Sequence, residues 1–365
     1  MAINNIFFFC YPHGPADRAG YEHEIVCIAE GLRQLSVPFS GNIDYWQEGN
    51  SPGDFLIRHD PDISYRNADV VVFSSVHYDY ESMHLLPPDL LSPDRRYRLI
   101  FIDESDGLWT PGFNNELRGC DLVLKCHYNR KYPLPDNFYP WAFGLSGRIL
   151  DQLCGDPIAT DKGELYRNAE ILINYRVEHS LRERAMKEIF PRFEGVLKEN
   201  RTIDSFDPDS LTEKDQLLWL QSGRRHYPQY YRRLLDSEAC SSFGGNPEKL
   251  TAHREGKFWD FVRNLDEKFS LFQIYQFDSW RIWEAFAAGT CVFHADLQKY
   301  GCVLPVMPIN MVHYIGFDLE HPIRMVEVIR KDPTLLRTIG DAGKYWALKN
   351  YSPQAVAARF IELTT

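Results

Sequence analysis

"DSWRIWEAFAAGTCVFHAD", residues 278–296, reads as a helix running directly into a strand. Asp278 or Ser279 supplies the N-terminal cap, and Gly289 supplies the stop. The segment "TCVF" then continues as an apolar strand. At about 100° per residue, Ile282, Phe286 and Gly289 fall on one side of the helix, and Arg281, Glu284 and Ala288 on another. The charged pair therefore shares one face close to the helix N-terminus. An i,i+3 salt bridge on a solvated face is the plain explanation of that spacing. The flanking Trp280, Ile282, Trp283, Phe286, Val292 and Phe293 do not describe a solvated helix. A helix N-terminus carries free N–H groups and partial positive charge, which suit an anion. Arg281 adds a fork of donors for a phosphate. Glu284 can accept from two neighbouring hydroxyls, and Ala288 and Gly289 leave room beside them.

Outward from this stretch, short apolar runs alternate with helical patterns. "NNIFFFCYP" reads as a first strand, and "EHEIVCIAEGLRQL" has Ile25, Ile28, Leu32 and Leu35 at helical spacing. "VPFSGNIDYW" reads as a second strand. "ADVVVFSSV", "YRLIFIDES" and "CDLVLKCH" are continuous apolar runs, as in parallel strands covered on both faces. From Gly144 to Glu164 the pattern dissolves into Gly, Asp and Pro, and an inter-domain linker is placed there. A second alternating set follows. "AEILINYRV" is a strand, and "SLRERAMKEIFPRFE" a helix interrupted near Pro191. "HYPQYYRRLLDSEACSSFGG" is helix, short strand and Gly-rich turn. Toward the end come "NMVHYIGFD" as strand or loop, two helices separated near Pro333, and a last helix with Ser352 as cap and Pro353 at its first position. The expectation is two α/β domains with parallel sheets, residues 1–150 and 165–350, a closing helix at 351–365, and a ligand cleft between the domains.

The bulk composition excludes several classes. With 44% hydrophobic and 25% charged residues the chain is globular and not disordered. It lacks the run of about 18 apolar residues that a membrane helix needs. The start, "MAINNIFFFCYPHG", has no basic n-region and no small-residue cleavage site, so it reads as a buried strand and the protein as cytoplasmic. A net charge of −11 argues against nucleic acid as the main partner. The eight cysteines form no C-x-x-C pair and read as reduced, mostly buried thiols, with no metal site.

"SWRIWEAFAAGTCVF" resembles the R-x-x-E-A-x-A-x-G segment found late in GT-B glycosyltransferases, especially the group-1-like enzymes related to spore maturation glycosyltransferases. "YYRRLLDSEACSSFGG" is similar to their helix, strand and glycine stretch, and "DPTLLRTIGDAGKYWALKNYSPQAVAARF" to their C-terminal helices. The resemblance covers roughly residues 165–365; the first half matches only in its strand–helix alternation. It implies two Rossmann-like domains facing across a cleft, with the C-terminal helix crossing back to the first. It implies a nucleoside-diphosphate sugar as donor, no further cofactor, no metal, and a saccharide or glycoconjugate acceptor bound by the first domain. In that family the motif glutamate, here Glu284, holds the donor's ribose. Retaining members often carry a second glutamate eight positions earlier, where this chain has Gln276. That departure leaves the donor-sugar contact and the stereochemistry open, with Asp278 as a nearby substitute. A nucleotide-sugar epimerase or hydrolase on the same fold, or a non-catalytic nucleotide- or sugar-binding module, stays open as well.

The remaining candidates follow strands. Arg176, His179 and Arg182 in "NYRVEHSLRERA" are placed to hold a diphosphate at a helix start, or to form a charged amphipathic helix. Gly244 in "SSFGGN" permits backbone to approach a ligand. His13, in a Gly-rich loop after the first strand, and Asp103, Glu104 and Asp106, after "LIFI", are the acceptor-side candidates for a general base. Trp109 and Phe113 lie near enough in sequence to raise a carboxyl pKa by burial. Asp103 ranks first, His13 second and Asp106 third. His77 and His127 also follow strands.

Overall fold

A computed structural model of the chain describes residues 3, 5–12, 21–49, 51, 53–79, 83–105, 119–131, 134–154, 167–177, 179–201, 211–249 and 272–365. The first sheet is built from β1 (Ile6–Phe8), β2 (Phe39–Gly41), β5 (Val70–Ser74), β6 (Arg98–Asp103), β7 (Leu122–Lys125) and β8 (Phe138–Pro140). Its order is β2-β1-β5-β6-β7-β8 and every pair is parallel. A small antiparallel pair, β3 (Tyr45–Gln47) and β4 (Phe55–Ile57), stands beside it. The helices here are α1 (His23–Gln34) and the short α2 (Val76–Asp79). Side chains on a strand alternate faces, so a sheet covered on both sides is apolar at most positions of its strands. Ile6, Phe8, Val70, Val72, Ile100 and Ile102 build the core on one face, and Phe7, Phe9, Val71, Phe73, Leu99 and Phe101 the core on the other.

The second sheet repeats this plan. Its strands are β9 (Asn168–Leu172), β10 (Lys198–Asn200), β11 (Ser237–Ser241), β14 (Cys291–Ala295) and β15 (Ile315–Phe317), in the order β10-β9-β11-β14-β15, all parallel. β12 (Asn246–Lys249) and β13 (Phe272–Tyr275) form an antiparallel pair. The helices are α3 (Gly147–Cys154), α4 (Ser180–Arg184), α5 (Glu213–Gln221), α6 (Pro228–Asp236), α7 (Trp280–Ala288), α8 (Pro322–Lys331), α9 (Leu335–Tyr351) and α10 (Pro353–Thr364). α4 continues as a π turn to Ile189 and a 3-10 turn through Pro191, which lacks the N–H that an α-helix needs there. The opening stretch is α7 followed by β14. Gly289 ends α7 at φ 71°, and α9 packs so closely on that turn that a Cβ on Gly340 would lie 2.3 Å from the Gly289 carbonyl oxygen.

α10 crosses back onto the first domain. Val356, Ala357 and Phe360 share a core with Ile25, Ile28 and Leu32 of α1. The crossing is so close that a Cβ on Gly31 would lie 1.9 Å from the Pro353 carbonyl oxygen. α1 is consequently buried from His23 to Leu32, not along one stripe. Between the sheets, Asn129 donates to the Ile274 and Tyr300 carbonyls at 3.2 and 3.0 Å. Trp280 packs 5.0 Å from the Tyr21 ring and 5.3 Å from His23.

Several sequence readings change. The "VPFSGNIDYW" strand is two strands, β2 and β3, separated by a bend. The stretch read as linker begins with α3, whose Ile149 and Leu153 are buried in the core shared with α7; residues 155–166 lie outside the described set. α5, β8 and β10 were not anticipated. All eight cysteines are unpaired, and all but Cys154 are buried. Among the described residues, no helix is long and apolar enough to cross a membrane.

Candidate active site

In the second sheet the chain leaves β9 in two directions, to β10 on one side and β11 on the other. Ligands of open α/β sheets sit beyond the carboxyl ends of the strands at such a switch point. Tyr175, just past β9, and Ser241, the last residue of β11, meet there with their hydroxyls 2.8 Å apart. The guanidinium of Arg281 lies 5.4 Å from the Tyr175 ring centre and that of Arg182 5.0 Å. Burial pushes the Tyr175 phenol up to about 12, so it stays protonated. Arg182 is gripped by backbone: Nε donates to the Phe243 carbonyl at 3.0 Å and Nη1 to the Arg176 carbonyl at 3.1 Å. The Arg176 side chain is exposed at the rim.

Gly244, three residues past β11, is buried. Its N–H donates to His294 Nε2 at 3.3 Å, and a Cβ on it would lie 2.9 Å from the Gln276 carbonyl oxygen. Gln276 has φ 55°, a left-handed turn that ends β13 and redirects the chain toward α7. Asp278 is buried. It accepts from Trp283 Nε1 at 2.6 Å and, across the domains, from the Phe143 N–H at 2.9 Å. Burial raises its carboxyl to about 7. The N-cap residue of α7 is Ser279, whose side chain makes no bond to the first turn.

Among the described residues, no ion pair joins Arg281 to Glu284: Arg281 lies over Tyr175, while Glu284, 6% exposed, accepts from the Tyr231 hydroxyl at 3.2 Å. Burial raises the Glu284 carboxyl; Arg148, Arg281 and Tyr231 oppose that shift. Tyr175, Tyr231 and Arg148 were missed in the sequence. The two tyrosines look like ordinary core aromatics, and Arg148 sits in the stretch read as linker.

At the carboxyl edge of the first sheet, Asp103 is fully buried. It accepts from Lys125 Nζ at 2.9 Å and from the Ser105 hydroxyl and N–H. Its lone pairs are therefore engaged, which argues against its ranking as first choice of base. Glu22, at the start of α1, accepts from the Ser74 hydroxyl and the Tyr11 N–H, both at 2.7 Å, and burial raises its carboxyl to about 8. Glu24 is buried against Glu104 and accepts from the Cys126 thiol at 3.5 Å; burial and Glu104 raise it. His127 Nδ1 accepts from the Asp278 N–H at 3.1 Å, and burial lowers the imidazole to about 3. His13, Asp106, Trp109 and Phe113 lie outside the described residues.

No protein-family model matches the chain, and no curated protein does. Solved structures do. An alpha-glucosyltransferase in complex with UDP and a 13-mer DNA containing a central A:G mismatch is similar over 100% of both chains, with a TM-score of 0.53 and 8% identity. An alpha-glucosyltransferase in complex with UDP-glucose and DNA containing an abasic site is similar over 99% of both chains, with a TM-score of 0.51 and 8% identity. An alpha-glucosyltransferase in complex with UDP covers 100% of both, with a TM-score of 0.52 and 8% identity. The chain has the GT-B glycosyltransferase fold: two Rossmann-like domains, with α10 returning to the first. Two of these similar structures hold DNA, so the fold does not carry the exclusion of nucleic acid that the net charge suggested.

Proposed function

We propose that this chain is a cytoplasmic, metal-independent glycosyltransferase that moves a sugar from a nucleoside-diphosphate sugar to a saccharide or glycoconjugate. The observation that carries this reading is Arg281 and Glu284 on one face of α7 beside the second switch point, not paired with each other. The diphosphate would meet Arg281 and the first-turn amides of α7, with Arg182 and Arg176 at its flank. Glu284 would accept from the two ribose hydroxyls. Gln276, Asp278 and Gly244 border the space for the donor sugar. As the glycosidic bond to the diphosphate breaks, these groups stabilise charge on the leaving group, and positioning of the acceptor supplies the rest.

The acceptor hydroxyl must lose its proton as the new bond forms. Asp103 is held by Lys125, so His13 and Asp106 are the base candidates for an inverting transfer. In a retaining transfer the donor's phosphate takes the proton. His13→Ala or Asp106→Asn should lower turnover by about 10²-fold or more for the true base while leaving donor affinity intact. Near-parent turnover in both variants would favour retention.

The test of the whole reading is calorimetric binding of UDP, GDP and ADP, followed by product analysis of the matching sugar donors with and without saccharide acceptors. Transfer supports it. Donor consumption that ignores acceptor would indicate an epimerase or hydrolase, and binding without turnover a binding module.

A further inference from the structure

Arg148 begins the segment that leaves the first domain, on the first turn of α3, and its side chain is 3% exposed. Its guanidinium lies 5.8 Å from the Tyr21 ring centre and 5.5 Å from that of Trp280. Two aromatic rings from different domains thus bracket one buried cation. Among the described residues, no carboxylate forms an ion pair with it. Nη1 donates to the Tyr231 hydroxyl, and that hydroxyl donates onward to Glu284 Oε1 at 3.2 Å. A phenol has one proton to give and lone pairs to accept with. The direction is therefore fixed: Arg148 gives to Tyr231, and Tyr231 gives to Glu284.

A second chain holds the arginine from behind. His226 Nε2 lies 3.0 Å from Asp215 Oδ1, and its Nδ1 lies 3.4 Å from Arg148 Nη1. Burial lowers the His226 imidazole to about 4, so it is neutral at physiological pH. With its proton on Nε2 facing Asp215, its Nδ1 is the acceptor for Arg148.

We propose that Arg148 is a positioning residue of the donor site: through Tyr231 it aims Glu284 and holds it ionised to receive the ribose hydroxyls. This rests on the donor reading above. A carboxylate in a buried site tends to take up a proton. Once protonated it offers one oxygen fewer as an acceptor and cannot serve two hydroxyls equally. The groups facing Glu284 are Arg148 from α3, Tyr230 and Tyr231 from α6, Cys240 from β11, and Arg281 on its own helix. Of the two cations, Arg281 lies over the Tyr175 ring at the carboxyl edge of the sheet, whereas Arg148 is enclosed and reaches Glu284 through Tyr231.

The test has two independent readings. First, the titration of Glu284 is followed by carboxyl ¹³C NMR in the full chain labelled at glutamate, with the resonance assigned by Glu284→Gln. Arg148→Met and Tyr231→Phe should each move its midpoint upward, and Arg148→Lys should move it less than Arg148→Met. Second, UDP, GDP and ADP affinities are measured from pH 6 to 9. Arg148→Met should weaken binding at least tenfold at the acid end and recover toward the parent at the alkaline end. If Arg148→Met does not fold, Tyr231→Phe and Arg148→Lys carry both readings. A Glu284 midpoint unchanged in the folded variants overturns the proposal, and so does an affinity loss equal at every pH. If the parent binds none of the three nucleotides while the midpoint still moves, the donor reading fails and the relay stands.

Discussion

The two sheets have the same topology around their switch points and opposite chemistry at them. In the second, Tyr175 and Ser241 close the gap between β9 and β11, and two arginines lie over the tyrosine. In the first, the gap between β1 and β5 is bridged by one carboxyl. Glu22 accepts from Tyr11 beyond β1 and from Ser74 at the end of β5. Glu22 is also the N-cap residue of α1, and Glu24 stands in that helix's first turn. The position where a bound phosphate would meet the helix is thus already filled by the chain's own carboxyls. The difference teaches which half suits a diphosphate. The fold offers two crevices of the same topology. Among the described residues, the first is occupied by the buried carboxyls of Glu22 and Glu24, whereas the second presents Arg281 and Arg182 to an anion.

The hardest test of this contrast is Asp103. If it is the partner of Lys125 and not a base, removing it leaves a buried ammonium without its counter-charge. Breaking such a pair costs about 3–5 kcal/mol. Asp103→Ala should therefore lower the urea midpoint sharply, and Lys125→Met should do the same. The double variant Asp103→Ala/Lys125→Met should recover much of the loss. Parent-like stability together with abolished turnover in Asp103→Ala would restore it as a catalytic candidate.

On the second side the effects should fall on binding. Glu284→Ala leaves two ribose hydroxyls unpaired in a partly dry site, which costs roughly 1–3 kcal/mol, or about 5- to 150-fold in the Kd for nucleoside diphosphate. Arg281→Ala should weaken the diphosphate more than the nucleoside, because its charge meets the phosphates. Calorimetry of UDP against uridine separates the two, and equal losses would make Arg281 structural.

This division explains what could be read from the sequence. Apolar runs announced the parallel sheets, because strands buried on both faces are apolar at most positions, with polar residues such as Ser74, Asp103 and Lys125 at their carboxyl ends. Gly289 announced the end of α7, because few residues accept its φ of 71°. Arg281 and Glu284 stood out because their charge contradicts their neighbours. What stayed hidden depends on distant chain segments meeting. Glu22 and Glu24 begin a helical pattern, and nothing in the sequence shows that they meet Ser74 and Cys126, at or just past the ends of distant strands. Arg148 lies 83 residues before Tyr231 and 136 before Glu284 in sequence, and no local spacing links them. Trp280 reads as second-domain core, yet packs against Tyr21 and His23 of the first.

A smaller effect tests the filled crevice. Burial raises the Glu22 carboxyl from 4.5 to about 8. A group that binds its proton more tightly when folded lends stability below its unfolded pKa and loses it as pH rises through the folded value. For Glu22 that window runs from about 4.5 to about 8. Gln can replace it without an orphaned partner: its carbonyl accepts from the Tyr11 N–H, and its amide donates to the Ser74 oxygen. Glu22→Gln should flatten the fall in stability across that window and gain about 1–2 kcal/mol over the parent at pH 8. Urea unfolding at pH 5 and pH 8 measures it. An equal loss at both values would mean that Glu22 is ionised throughout and stabilising.

The smallest expected effect is none at all, and it concerns metal. A leaving diphosphate needs positive charge, and a divalent cation is one way to supply it. On the second sheet Arg281, Arg182 and Arg176 stand at the carboxyl edge, and the first turn of α7 is not capped by the Ser279 side chain. Arg182 is fixed by its place over Tyr175 and by the Phe243 and Arg176 carbonyls, so it needs little rearrangement as charge develops. Of the acidic run "DESD" at 103–106, Asp103 ends β6 of the opposite sheet and is taken by Lys125. Treatment with EDTA followed by desalting should therefore leave transfer from the best nucleotide-sugar within about twofold of the untreated enzyme. Arg281→Ala should be the more damaging change at every donor concentration. If EDTA abolished transfer and Mn²⁺ or Mg²⁺ restored it, the contrast between the two edges would be wrong: the acidic edge would then carry the cation, and the arginines would be secondary.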